Sequence, residues 1–494
     1  VGSFASFAAG FSFVSILTTV FQLFGLGFSL GGAAFFWTWP IVFAGQLLVA
    51  LCFAELAARY PISGSIFQWS SRLAGTDFGW FTGWVMVIGQ ILTVATAAIA
   101  MQAVLPAIWT GFQLVGGSGA DSSPLSPTGA QNAVVLGLIV LALTTAINVI
   151  GVRLMAVVTS AAVAIEILGV VALVTALFFH SERGIGTVNT TAGAAPGHYL
   201  PLWLASSLMA AYVMVGFDSA GELSEETHAP RRTTPRTIIR ALVVSGIGGL
   251  LLLLAGLLAA PSLTDGSLAT SGLAGVLTAR LGDVGGRFLL AAVAIAVFAC
   301  TLAVQTAGSR MMFSMARERT LPFSSVLAKV SPRTGTPIAT SVVVGVGAAI
   351  ALAVNWNQSA VFLALASLCI AMLYLAYLGV TVPLLVSRIR NRGLADGVDE
   401  DGRPLFSLGR WGVLVNAVAI AYQIGMVINL AWPRKEIYDL EGRGWWLQWS
   451  ALLFIGLTLL VGAGIHWRTR IRHGGAIKLP TLHTTADATA EAIA

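Results

Sequence analysis

Four carboxylates stand in stretches too apolar to hold an ionised side chain cheaply, and each sets a different chemistry. Glu166 lies within AAVAIEILGV at 161–170, with no basic residue within one or two helical turns. Such an acid either sits protonated, bonding a neighbouring backbone group, or takes up and releases a proton as water reaches it. Asp218 lies in GFDSAG at 216–221, an acid beside glycine in an otherwise apolar run. It suits either a hydrogen bond from unwound backbone or attraction of an amine. Glu222 follows it by four residues. Glu55 precedes Arg59 by four, the spacing of a local helical ion pair, with a gate at the inner membrane surface as the alternative. Arg310, Arg317 and Glu318 form a similar group further on. Four small polar residues, Ser12, Ser15, Thr18 and Thr19, punctuate the first apolar stretch within SFVSILTT at 12–19. Broken helices offer free N–H groups to a carboxylate and free carbonyls to an ammonium or cation.

The elements that must carry these residues are membrane helices. Of 494 residues, 57% are hydrophobic and only 10% charged, against about 25% charged in a soluble domain. That balance excludes soluble enzymes and disordered regulators. A span needs about 20 mostly apolar residues. Twelve such stretches run at 6–34, 36–58, 81–109, 133–151, 155–179, 200–223, 239–260, 288–315, 338–354, 360–386, 413–432 and 446–467. They are too long for barrel strands, so the expected fold is all-α and integral to the membrane.

With the N-terminus inside, the inner loops and tail carry 21 of the 27 Lys and Arg residues, and the outer loops six. The positive-inside rule then places both termini in the cytoplasm and the protein in the cytoplasmic membrane. It also accounts for the net charge of +6 without a nucleic-acid partner. Cys52, Cys300 and Cys369 lie in apolar runs without metal-ligand spacing, so neither a disulfide, a metal nor a cofactor is expected. The start shows no charged segment followed by a cleavage site, so no removable signal peptide is expected, and the missing Met points to an upstream start. The tail at 473–494 is polar and expected to be cytoplasmic. No phosphate-binding lysine loop appears, so the chain is expected neither to power itself with ATP nor to be an enzyme.

The two polar interruptions open two groups of five spans, 1–5 and 6–10. Five is odd, so the second group enters the membrane from the opposite side. The organisation expected is a first repeat at 1–180, an inverted repeat at 199–387, a cytoplasmic loop at 388–411 and two extra helices at 412–468.

Five motifs resemble the amino acid–polyamine–organocation permeases: ALCFAELAARYPISGSIF at 50–67, GFDSAGELSEETHAPRRTTPR at 216–236, SRMMFSMARERTLP at 309–322, PRTGTP at 332–337 and PLFSLGRWG at 404–412. The last looks most like the branch holding γ-aminobutyrate and choline permeases. The resemblance implies the leucine-transporter fold and secondary transport by alternating access, of an amino acid or a small amine. It implies that N–H groups of Ser15, Ile16, Leu17, Thr18 and Thr19 hold a substrate carboxylate, and that the second break covers about 212–219. Carbonyls of Tyr212, Val213 and Val215 would receive the amine, with Asp218 beside it, Phe217 as an aromatic lid and Gln90 as a wall donor. Glu166 falls near the position where proton-coupled relatives carry a lysine, so Glu166, with Glu222, is the expected coupling group. At the contact of spans 1 and 8, Thr301 offers an oxygen but Ala303 and Val304 do not, which favours protons or plain exchange over sodium. The alternatives are a choline, ethanolamine or polyamine carrier, or a non-transporting sensor or channel.

Overall fold

A computed structural model describes residues 3–356, 361–390, 394, 397–399, 401–440 and 442–472. The expected tail at 473–494 lies outside them. Its helices are α1 (Ser3–Val14), α2 (Ile16–Gly31), α3 (Thr38–Arg59), α4 (Ser65–Ala74), α5 (Thr76–Ile108), α6 (Pro127–Ile150), α7 (Val152–Phe179), α8 (Tyr199–Val213), α9 (Ser219–Glu222), α10 (Pro230–Ala259), α11 (Ser267–Arg317), α12 (Ser324–Leu327), α13 (Ile338–Ala353), α14 (Val361–Ile389), α15 (Gly412–Ala431), α16 (Lys435–Tyr438), α17 (Trp445–Gln448) and α18 (Ser450–Arg472). Among the described residues there is no strand, only an isolated bridge between Val398 and Pro404.

Eleven helical stretches among the described residues are long and apolar enough to cross a membrane. The expected span at 200–223 is not one of them. There α8 stops at Val213 and α9 holds only four residues, with irregular backbone between. Starts follow local chemistry. Pro127 occupies the first turn of α6, and the Ser126 hydroxyl accepts the Gly129 N–H at 3.0 Å. α11 is three pieces rather than one rod, because Gly272 and Gly282 take φ of 55° and 67°. Such values are open to glycine at little steric cost.

α1–α2 is wrapped by protein on nearly all sides, whereas α18 exposes most of its length. α1 packs on α7, α10 and α11; α2 packs on α8 and α11; α5 packs on α11 and α14. The two interrupted helices therefore occupy the centre. Cys52, Cys300 and Cys369 are buried and free.

Candidate functional site

The first break is narrower than expected. Only Ser15 leaves helical geometry, with φ 29° and ψ 99°, and Ile16 already opens α2. Ile16, Leu17, Thr18 and Thr19 are helical, which corrects the expected unwound segment over 15–19. The Ile16 and Leu17 side chains turn toward α10 and α7, where they lie against Gly248 and Gly169. One strained residue is enough because α2 receives an acceptor from elsewhere. Glu166 of α7 takes the Leu17 N–H at 3.2 Å and the Ser15 hydroxyl at 2.9 Å on one carboxylate oxygen. Ser15 and Thr18 also share a hydrogen bond of 2.7 Å. Glu166 thus bonds backbone, but the backbone of a distant helix start, where the positive end of the peptide dipoles favours a carboxylate. Its other oxygen has no partner among the described residues.

The second break is also shorter than the expected 212–219. Tyr212 and Val213 close α8, and Ser219 opens α9. Between them, the Gln46 side chain donates to the Met214 carbonyl at 2.9 Å, and the Gly216 N–H donates to the Tyr377 hydroxyl at 2.9 Å. Tyr377 in turn donates its own proton to Asp218. The second Asp218 oxygen and the Ser219 hydroxyl lack partners among the described residues. Gly216 has φ +90°, and a Cβ built there would stand 1.7 Å from the Phe13 ring. The two breaks are therefore stacked, Phe13 of α1 resting directly on Gly216. Phe217 is not poised over open space. Its ring packs 5.9 Å from Phe53 and 5.5 Å from Tyr377, centroid to centroid, and is fully buried. Val215 is buried as well. Tyr212 meets Thr96 of α5 through a 2.6 Å hydrogen bond. Gln90, also on α5, lies against Gly308 of α11, with its amide unpartnered among the described residues.

Glu222 closes one side. Its carboxylate accepts the Gly64 N–H and the Ser65 hydroxyl, both at 2.8 Å, and its carbonyl accepts the Ser63 hydroxyl. Ser314 of α11 donates to the Ser63 carbonyl at 3.0 Å. Arg310 holds Glu226 and Arg317 holds Glu225, at 3.0 and 3.1 Å. Three of the motifs noted in the sequence thus converge in one seal. Glu55 does more than pair with Arg59. It ion-pairs with Arg388 of α14, lies 3.7 Å from Arg59, and accepts from Ser407 and the Leu408 N–H. Arg59 donates to the Phe406 carbonyl at 2.8 Å. The PLFSLGRWG motif is therefore docked onto the end of α3.

On the opposite side a cavity of about 680 Å³ opens between α2, α5, α11 and α14. Gln22 stands in its wall and donates to the Thr96 carbonyl at 2.7 Å, a layer between the cavity and the breaks. At this end Arg280 pairs bidentately with Glu182, and that guanidinium holds the exposed Glu182 carboxyl below its ordinary range. Among the described residues no cluster of His, Cys, Asp or Glu has the geometry of a metal site.

Sequence reasoning missed Tyr377, Arg388, Ser65 and Thr96. A tyrosine or threonine in an apolar span reads as packing, and only the tertiary fold puts its hydroxyl on a break.

The amino acid permease family profile matches residues 2–459. Amino-acid permease BAT1 of Arabidopsis thaliana is 26% identical, over 94% of this chain and 92% of its own length. The branched-chain amino acid permease BcaP of Lactococcus lactis is 27% identical over 62% of this chain and 66% of its own. The methylthioribose transporter of Bacillus subtilis is also 27% identical, over 61% and 63%. Carrying two stacked helix breaks in an all-helical membrane body and matching the family over nearly its whole length, this chain belongs to the amino acid permeases.

Proposed function

We propose that the protein carries an amino acid across the cytoplasmic membrane by alternating access, and that a proton on Glu166 is coupled to the passage. The observation that carries this reading is the Glu166 carboxylate on the Leu17 N–H and the Ser15 hydroxyl. A substrate carboxylate arriving at the start of α2 needs the same donors. When Glu166 is ionised it holds them; when it gains a proton it gives them up. Substrate and proton then favour each other's binding, and linkage makes that coupling reciprocal. The amine end lies toward the second break, where the end of α8 presents the Tyr212 and Val213 carbonyls, with Val215 following. The free oxygen of Asp218 adds charge there.

The seal around Glu222 and the cavity on the opposite side support an outward-facing arrangement, with both termini on the cytoplasmic side. The interrupted helices, each opening a group of five, support two inverted repeats at 1–180 and 199–387. Glu55 and Arg59, bound to Arg388 and the 406–408 backbone, act in this reading as an anchor rather than a moving gate. A simple amine carrier is the second reading, favoured by Asp218 alone.

Counterflow in proteoliposomes tests the function. Vesicles preloaded with one unlabelled amino acid are expected to take up the labelled form transiently above equilibrium, and a matching amine without a carboxylate is expected not to drive it. A panel of amino acids that gives no overshoot, or a channel-like flux independent of preloading, overturns the reading.

A further inference from the structure

Where α11 ends and α18 ends, a groove of about 830 Å³ carries three arginines, Arg317, Arg319 and Arg468, and no acid in its lining. Arg317 is committed to Glu225. Arg319 and Arg468 are exposed, and no ion pair is described for either. The turn between α11 and α12 is built with strain. Arg319 and Phe323 both have positive φ, 56° and 58°, unusual for residues other than glycine. Strained backbone persists only where its surroundings fix it, and here Trp80 clamps the Thr320 carbonyl at 2.8 Å while the Thr320 hydroxyl holds the Met315 carbonyl at 2.7 Å. Arg319 lines the groove, and Phe323 at its rim is 79% exposed. Trp467, beside Arg468, is 70% exposed. Arginine and aromatic side chains at the ends of lipid-facing helices mark the membrane–water boundary.

From this we infer that the groove binds the phosphate headgroup of an anionic membrane phospholipid, independently of the transport mechanism. The guanidinium forks match phosphate oxygens, the exposed Ser325 hydroxyl adds a donor, and the apolar rim meets the acyl chains. A headgroup without net negative charge leaves the two exposed arginines uncompensated, and a free anion makes no use of the rim.

Native mass spectrometry of the full chain in detergent, titrated with phosphatidylglycerol or phosphatidylcholine, tests this. Phosphatidylglycerol is expected to bind selectively. The Arg319→Gln/Arg468→Gln variant is expected to raise its half-saturation about 30-fold, from about one charge-equivalent of surface attraction per arginine. Ser325→Asp, which leaves the arginines in place, is expected to weaken the same lipid, and it serves if the double variant does not purify folded. Unchanged phosphatidylglycerol binding in these variants overturns the assignment. So does equal binding of phosphatidylcholine, or inorganic phosphate displacing the lipid at equal concentration.

Discussion

Replacing Glu55 by leucine is expected to destabilise the protein by about 3–5 kcal/mol, the range for breaking a buried ion pair from one side. The side chains of Glu55, Arg59 and Arg388 are 3%, 6% and 9% exposed. Among the described residues, the Glu55 carboxylate is the acid that pairs with Arg388. Its loss strands the Arg388 charge, since a guanidinium cannot shed its proton. Arg59 suffers less, because the Phe406 carbonyl and the Glu55 main-chain carbonyl still accept from it. The asymmetry makes a sharp test. Removing both members as Glu55→Leu/Arg388→Leu is expected to recover much of the loss, as in buried pairs elsewhere. The measurement is the unfolding midpoint in detergent for wild type, the single variants and the double variant. If Glu55→Leu falls within about 1 kcal/mol of wild type, as for a surface pair, the cluster is hydrated and the anchor reading is wrong.

Glu166→Gln is expected to abolish accumulation driven by an imposed pH gradient while leaving substrate–substrate exchange close to wild type. Glutamine reproduces the protonated acid with little change in volume. Its neutral amide oxygen is a weaker acceptor than a carboxylate, so the Ser15 hydroxyl and the Leu17 N–H stay open to substrate as they do beside the protonated acid. What is lost is the change of state. An ionised side chain at the centre of a membrane helix costs roughly 2.5–3.5 kcal/mol on insertion scales, and the two donors on α2 offset part of that. A ligand moves an equilibrium only by its differential affinity for the two states, and the amide has a single protonation state to offer. Proteoliposomes with an imposed gradient and a labelled substrate give the readout, with exchange in the same vesicles as the control for folding. Wild-type accumulation with wild-type pH dependence in Glu166→Gln assigns Glu166 a purely structural role.

Much of this architecture is legible from composition and pattern. Helical class, eleven of the twelve expected spans and the two places where helices fail follow from apolar run length, and from Ser, Thr, Gly and Asp set inside such runs. The extent of the failures does not follow. At 15–19 the polar Ser15, Thr18 and Thr19 flank the apolar Ile16 and Leu17, and nothing in that order limits the unwinding; the break falls on Ser15 alone, because the acceptor that restarts the helix comes from α7, 151 positions away. The partner of Glu55 is hidden for the same reason. Arg59 stands at helical spacing and is visible, whereas Arg388 lies 333 positions on. Tyr377 belongs to an apolar span, and nothing in its neighbours announces that its hydroxyl bridges Gly216 and Asp218. Spacing along one helix is readable from sequence; pairing across helices is a product of packing.

The three buried thiols have a practical consequence. Cys300 is 3% exposed, and its sulfur donates to the Phe13 carbonyl at 3.5 Å, directly beneath α1. Cys52 and Cys369 are wholly enclosed. The native chain is thus already a nearly silent background for alkylation chemistry. Any departure of α1 from α11 uncovers one sulfur next to the first break, so the labelling rate at that atom counts how often the helix lifts, with no engineered probe in the molecule.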